Sequence, residues 1–138
     1  MPETLLWLYL AQDVGYQYLM NGAALERTVE EKDLGVYVTP DLKSSAHVAR
    51  VAARANSVLG QIRNTFTYMD KEMFLALYLT MVRPLMEYAV QVWSPKFIKD
   101  SDKLEKVQRR ATKLVPELRD LPYETRCGNC LGHLSTTN

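Results

Sequence analysis

Four basic side chains, Lys43, His47, Arg50 and Arg54, recur at steps of four, three and four. A helix brings residues three and four apart onto one face, where such a stripe could neutralise successive phosphates of a nucleic acid. Lys103, Lys106, Arg110 and Lys113 repeat the pattern at steps of three, four and three. Binding of this kind weakens as salt rises, with a log–log slope of about 0.9 per phosphate on a duplex. The same stripes are what any amphipathic helix shows to water, and Asp100, Asp102 and Glu105 dilute the second one.

Cys127 and Cys130 have the two-residue gap of a zinc knuckle, with His133 just beyond. A closed structural zinc site needs four ligands. The only other histidine, His47, belongs to a distant helix start, so the sequence sets three metal candidates against a tail with free thiols. Asp100, Asp102 and Glu105 read as acids favoured by a helix N-terminus rather than as a catalytic cluster. His47 has no evident nucleophile to activate, because Ser44 and Ser45 beside it read as caps. Gly22, Gly35 and Gly60 are isolated, so no glycine-rich phosphate loop is present. Tyr78, Tyr88 and Trp93 could stack on bases, but their helical spacing beside Leu85 and Val92 reads first as core.

The elements that must position these residues belong to a chain of 138 residues, enough for one domain. Hydrophobic residues make up 47% and charged residues 24%, near globular averages, and the formal net charge is +1. Nucleic-acid contact therefore depends on where the basic groups lie rather than on their total. No apolar run reaches the ~20 residues of a spanning helix. The run from Leu5 to Ala11 is short and comes after Glu3, where a secretory signal would carry Lys or Arg. It reads as a core-seeking strand or short helix. Two cysteines without a secretory signal fit a reduced intracellular setting, nuclear or cytoplasmic, rather than a secreted protein.

From Tyr16 to Thr28 the pattern reads as a β-hairpin, with Asn21 and Gly22 supplying the positive-φ pair of a type I′ turn. Leu34 to Val38 reads as a third strand of one small antiparallel sheet. Ser44 or Ser45 then opens a helix whose apolar side holds Val48, Val51, Ala55, Val58, Leu59, Ile62 and Phe66. Asp70 caps a second helix running to about Trp93, with a kink expected at Pro84. A third runs from about Ser101 to Val115, with Leu104, Val107, Ala111 and Leu114 inward. Pro116 and Pro122 break the pattern C-terminal to it. The expected architecture is thus α+β, a small sheet of about three antiparallel strands and then three amphipathic helices.

Three blocks in this order carry a resemblance. They are Tyr18-Leu-Met-Asn-Gly22 with Lys32-Asp-Leu-Gly-Val36 and His47, then Leu77 and Tyr78 with Met81-Val-Arg-Pro-Leu-Met-Glu-Tyr88 and Val92-Trp-Ser-Pro95, and then Leu104 to Val115 with Leu121-Pro-Tyr123. Together they resemble the region just after the palm in reverse transcriptases of LINE-type (non-LTR) retrotransposons. The resemblance implies that residues 16–40 are similar to the sheet elements closing the palm, and that residues 41–116 form a helical, thumb-like region against the template-primer duplex. Residues 1–15 show no likeness and stay unassigned, and residues 117–138 are expected to be a flexible tail.

Members of that family are RNA-directed DNA polymerases whose Mg²⁺ ions are held by an aromatic-x-Asp-Asp turn upstream of this region. No two aspartates are adjacent in this chain. Paired carboxylates neutralise the charge of phosphoryl transfer through bound Mg²⁺. The resemblance therefore implies a truncated remnant with no cofactor of its own, not an enzyme by itself. It would hold an RNA or DNA template-primer duplex without sequence preference and make no membrane contact. Two other readings stay open: a helical protein-interaction module, or a self-associating chain, using the apolar face around Met81, Leu85 and Met86; and a reading-frame product with no activity.

Overall fold

The computed structural model describes residues 19–25, 28–95 and 97–131. Strands β1 (Leu19–Met20) and β2 (Ala23–Ala24) pair antiparallel through Asn21 at φ 50° and Gly22 at φ 80°. This is the type I′ geometry expected of Asn-Gly. The next hairpin departs from expectation. Leu34 and Gly35 are not strand residues but a second turn, at φ 45° and 86°, joining β3 (Glu31–Asp33) to β4 (Val36–Val38). The described strands therefore form two separate two-stranded sheets rather than one sheet of three. A leucine in the left-handed region costs about 1 kcal/mol, which is why the position does not read as a turn. It is held there from outside, because the Tyr88 hydroxyl donates to the Leu34 carbonyl at 2.8 Å.

A lone hairpin is marginal in water and must pack on something else. Val36 supplies the anchor, meeting Val48 and Trp93 in a small core of their own. Val48 stands on α1 (Ser45–Thr65), whose buried face is His47, Val48, Ala52, Ala55, Leu59 and Ile62. That is close to the apolar stripe read from sequence, with His47 added. Neither serine caps this helix as expected. Ser44 sits at the N-cap with helical backbone and no capping bond, while the Ser45 hydroxyl donates to Asp100 at 2.5 Å.

Asp70 does cap the next helix, α2 (Lys71–Leu77), accepting from the Met73 amide at 2.8 Å. The irregularity expected at Pro84 is a π-helical turn over Tyr78–Val82, closed by the Arg83 amide bonding back to the Tyr78 carbonyl. Widening the helix by one residue lets Pro84 enter the first turn of α3 (Arg83–Glu87), where its missing N–H does no harm. The helix does not reach Trp93 unbroken. Ala89, at φ 51°, turns the chain into a short α4 (Val90–Trp93), and the Trp93 indole N–H donates to the Tyr88 carbonyl.

Helix α5 (Ile98–Thr112) lays Val107 and Ala111 against Ala52, Ala55 and Leu59, joined by Phe74, Tyr78, Val82 and Met86 in the main core. Alanines on the facing sides let α1 and α5 approach closely. The tail expected after Pro116 instead carries a 3₁₀ turn (Pro116–Leu118) and a further helix, α6 (Tyr123–Leu131). Arg126 of α6 is buried. Its guanidinium donates to the carbonyls of Arg119 and Leu121 and to the Thr112 hydroxyl, satisfying groups the turn would otherwise leave unpaired. The expected strand or helix at Leu5–Ala11 lies outside the described residues. No helix among those described is long and apolar enough to cross a membrane.

Candidate nucleic-acid interface

The first basic stripe is divided by its surroundings. Lys43 comes just after a tight turn in which Asp41 accepts from the Thr39 hydroxyl at 2.6 Å and from the Lys43 amide at 3.2 Å. The Lys43 ammonium then pairs with Asp41 at 2.8 Å. Hydrogen bonds from Lys43, and next from Thr39, hold the Asp41 carboxyl down at about 2. Lys43 is consequently offset by its own neighbour.

His47 does not belong to the exposed stripe. It is buried at 3% exposure, its ring 4.9 Å from Trp93, and its Nδ1 accepts the Tyr37 amide at 3.2 Å. Burial lowers its pKa, so at neutral pH it is an uncharged tie between α1 and the β3–β4 hairpin. Helical spacing placed it with the cations, but the packing of Val36 and Trp93 draws it inward.

Arg50 and Arg54 do face outward, onto a groove of about 530 Å³ between the β3–β4 hairpin, α1 and α3. Lys32, Tyr37, Leu85 and Tyr88 line it with them. The Arg50 guanidinium carbon sits 4.2 Å from the Tyr37 ring centroid, and the Lys32 ammonium 5.6 Å from the same centroid. Arg50 also pairs with Glu30. Arg54 is exposed and has no ion pair among the described residues.

Lys32 and Tyr37 are the lining residues that helix periodicity misses. They are direct partners in the register of β3 and β4. Reading Leu34-Gly35 as the turn would have paired them at once. Tyr88 is also corrected: it is 56% exposed, on the groove rather than in the core, whereas Tyr78 and Trp93 are buried as the spacing suggests.

The second stripe lies elsewhere. Lys103 approaches the fully buried Asp100 at 3.5 Å, and Arg110 donates to the Asn56 side chain at 3.0 Å. The contacts of Ser45 with Asp100 and of Asn56 with Arg110 span 55 and 54 residues, so α1 and α5 run parallel. Asn56 is two residues beyond Arg54, about 200° around the helix. The α5 stripe therefore borders the opposite flank of α1 from the groove, and the two stripes do not merge. Lys106 and Lys113 are exposed on it without ion pairs among the described residues.

Compared with protein-family models, with curated proteins and with solved structures, the chain has no match in any of the three.

The acids do not gather for catalysis. Asp100 stands in the first turn of α5, as its helix-start position suggested, but it is buried against Ser45, and Glu105 pairs with Arg109 at 3.0 Å. Cys127 is half-buried on α6 and packs against the main core. Beside it, burial and then the neighbouring Cys127 push the Tyr123 hydroxyl up to about 12. The Cys130 side chain and His133 lie outside the described residues. Among those described, no three His, Cys, Asp or Glu side chains come together as a metal site.

Proposed function

We propose that this chain holds nucleic acid without copying it, as the thumb of a LINE-type reverse transcriptase holds its template-primer. The order of elements supports the reading: a hairpin, then a helix bearing outward arginines, then helices that back it. The observation that carries it is the groove in which Lys32, Arg50 and Arg54 surround Tyr37 and Tyr88. Cations beside aromatic rings suit a polyanion that also presents flat bases. Among the described residues none of the groove's lining side chains is acidic, although Glu30 pairs with Arg50. The groove therefore favours anions locally although the whole chain is nearly neutral.

The chain has no adjacent pair of aspartates with which to bind Mg²⁺ as the resembling polymerases do. Its part in this reading is positioning, not bond formation. A primer-extension assay with Mg²⁺ and deoxynucleotides is expected to give no product, while fluorescence anisotropy at low salt gives binding. With about three cations engaged, raising salt from roughly 50 to 200 mM should weaken a duplex about fortyfold. Binding absent at low salt, or extension by the chain alone, refutes the proposal.

A second reading has its own support. Met81, on the π turn, is 44% exposed, and Val92, on α4, is 74% exposed. Met86, expected on that face, is buried in the main core, so the apolar surface is smaller than the sequence suggests. Association through it would persist or strengthen as salt rises, opposite to phosphate binding.

A further inference from the structure

A double helix is far wider than a space of about 530 Å³, so a duplex can touch only the rim of the groove. What fits inside is one nucleotide. We infer that the groove seats a single unpaired nucleotide where a strand runs off a duplex. Its base lies against Tyr88, and its phosphate lies between Lys32 and Arg54. The inference rests on the nucleic-acid reading and names the part of the ligand that the groove takes.

Tyr88 is suited to that role because it is exposed yet tethered. The residue is 56% exposed, while its hydroxyl is fixed to the Leu34 carbonyl at 2.8 Å. Gly35 makes the tether possible, since a Cβ there would stand 3.2 Å from the Tyr88 ring. A ring already held loses little freedom when a base stacks on it. It shares the groove with cations: Lys32, Arg50 and Arg54 line the same space. Charge selects the phosphate, and the aromatic face selects the base.

Arg50 has a rival partner inside the protein. Glu30 pairs with the guanidinium that a second phosphate would use. The ligand must share Arg50 with this carboxylate, so Glu30 lowers the affinity of the groove in the native chain.

The test is fluorescence anisotropy of the intact chain at low salt with two probes, a blunt duplex and the same duplex carrying a short single-stranded overhang. The overhang is expected to tighten binding about fivefold or more, the range of one stacked base. Tyr88→Leu should abolish that gain, Tyr88→Phe, which keeps the ring but loses the bond to Leu34, should keep only part of it, and Glu30→Gln should enlarge it. Arg54→Gln, at an exposed position, should weaken the overhang probe more than the blunt one and covers the case in which Tyr88→Leu fails to fold. A free nucleoside monophosphate should displace only the extra affinity. Equal binding of both probes, or an overhang gain unaffected by the Tyr88 and Arg54 variants, overturns the inference while leaving nucleic-acid holding intact. A monophosphate that binds as tightly as the overhang strand also overturns it, assigning the groove to free nucleotides. Binding of neither probe removes the underlying reading as well.

Discussion

The guanidinium of Arg50 sits over the ring of Tyr37, 4.2 Å from carbon to centroid, and this contact joins the β3–β4 hairpin to α1 from the groove side. On the inner side the same two elements are joined by His47, which accepts the Tyr37 amide. Tyr37 is thus gripped through its ring by one residue of α1 and through its backbone by another. One wall of the groove, α1, thus holds the strand that forms the other at two points.

That arrangement separates two arginines that look equivalent in sequence. A cation–π contact at an exposed site contributes about 0.5–1 kcal/mol, and an exposed ion pair such as that with Glu30 a few tenths more. Arg50→Ala should therefore destabilise the fold by about 1 kcal/mol. Arg54→Ala, with no ion pair among the described residues, should change stability by less than about 0.5 kcal/mol. Urea denaturation of both variants measures the difference.

Burial holds the pKa of His47 below the ordinary 6.5. The unfolded chain then binds the proton more readily than the native one, so stability is full above about pH 6.5 and declines as pH falls through 6.5 towards the native value. Thermal melts from pH 8 downward should show that decline. His47→Phe keeps a ring against Trp93 but takes no proton, so its melting temperature should lack this part of the acid-side slope, although the Tyr37 amide loses its acceptor.

Asp100 is completely buried at the start of α5, and Ser45 gives it a hydroxyl donor from the start of the parallel α1. Ser45→Ala would leave the buried Oδ2 of Asp100 without a side-chain donor among the described residues, because Lys103 stands 3.5 Å from the other oxygen, Oδ1. The expected cost is about 1–3 kcal/mol, far above the effect of deleting an exposed serine hydroxyl. Ser57→Ala, at an exposed site on the same helix, is the matched control for chemical denaturation.

The second hairpin turn is strained at Leu34 and crowded at Gly35. Gly35→Ala should destabilise by more than about 1 kcal/mol, because a φ of 86° opposes any L side chain and the new methyl meets Tyr88. Leu34→Asn should be neutral or stabilising, since asparagine tolerates the left-handed region. The melting temperature should fall for Gly35→Ala and hold or rise for Leu34→Asn.

Much of this was legible in the residues. The Asn21-Gly22 turn, the Asp70 cap and the buried side of α1 follow from turn chemistry and periodicity. Pro84 announced an irregularity, though not that a π turn would absorb it. The failures have physical causes. Leu34 at a positive φ is stabilised by Tyr88, a residue 54 positions away, so no local pattern reveals the turn. With the turn hidden, the pairing of Lys32 with Tyr37 was hidden too, and the hairpin wall of the groove with it. His47 carried the spacing of a cation stripe, but the contact with Trp93 made it a core residue. Helix α6 was masked by small and polar residues around Gly128, and it is secured by Arg126, whose burial depends on carbonyls brought near by the turn at Pro116–Leu118.

The most direct test compares the salt dependence of nucleic-acid binding between the two basic surfaces. Anisotropy titrations of a template-primer duplex across a range of NaCl are run on the native chain, on Arg50→Gln with Arg54→Gln, and on Lys106→Gln with Lys113→Gln. Loss of the groove arginines should lower the log–log slope by roughly 2 and weaken binding most at low salt, whereas the α5 pair should change it little. Equal effects from the two pairs, or unchanged binding after the groove arginines are removed, would contradict the account.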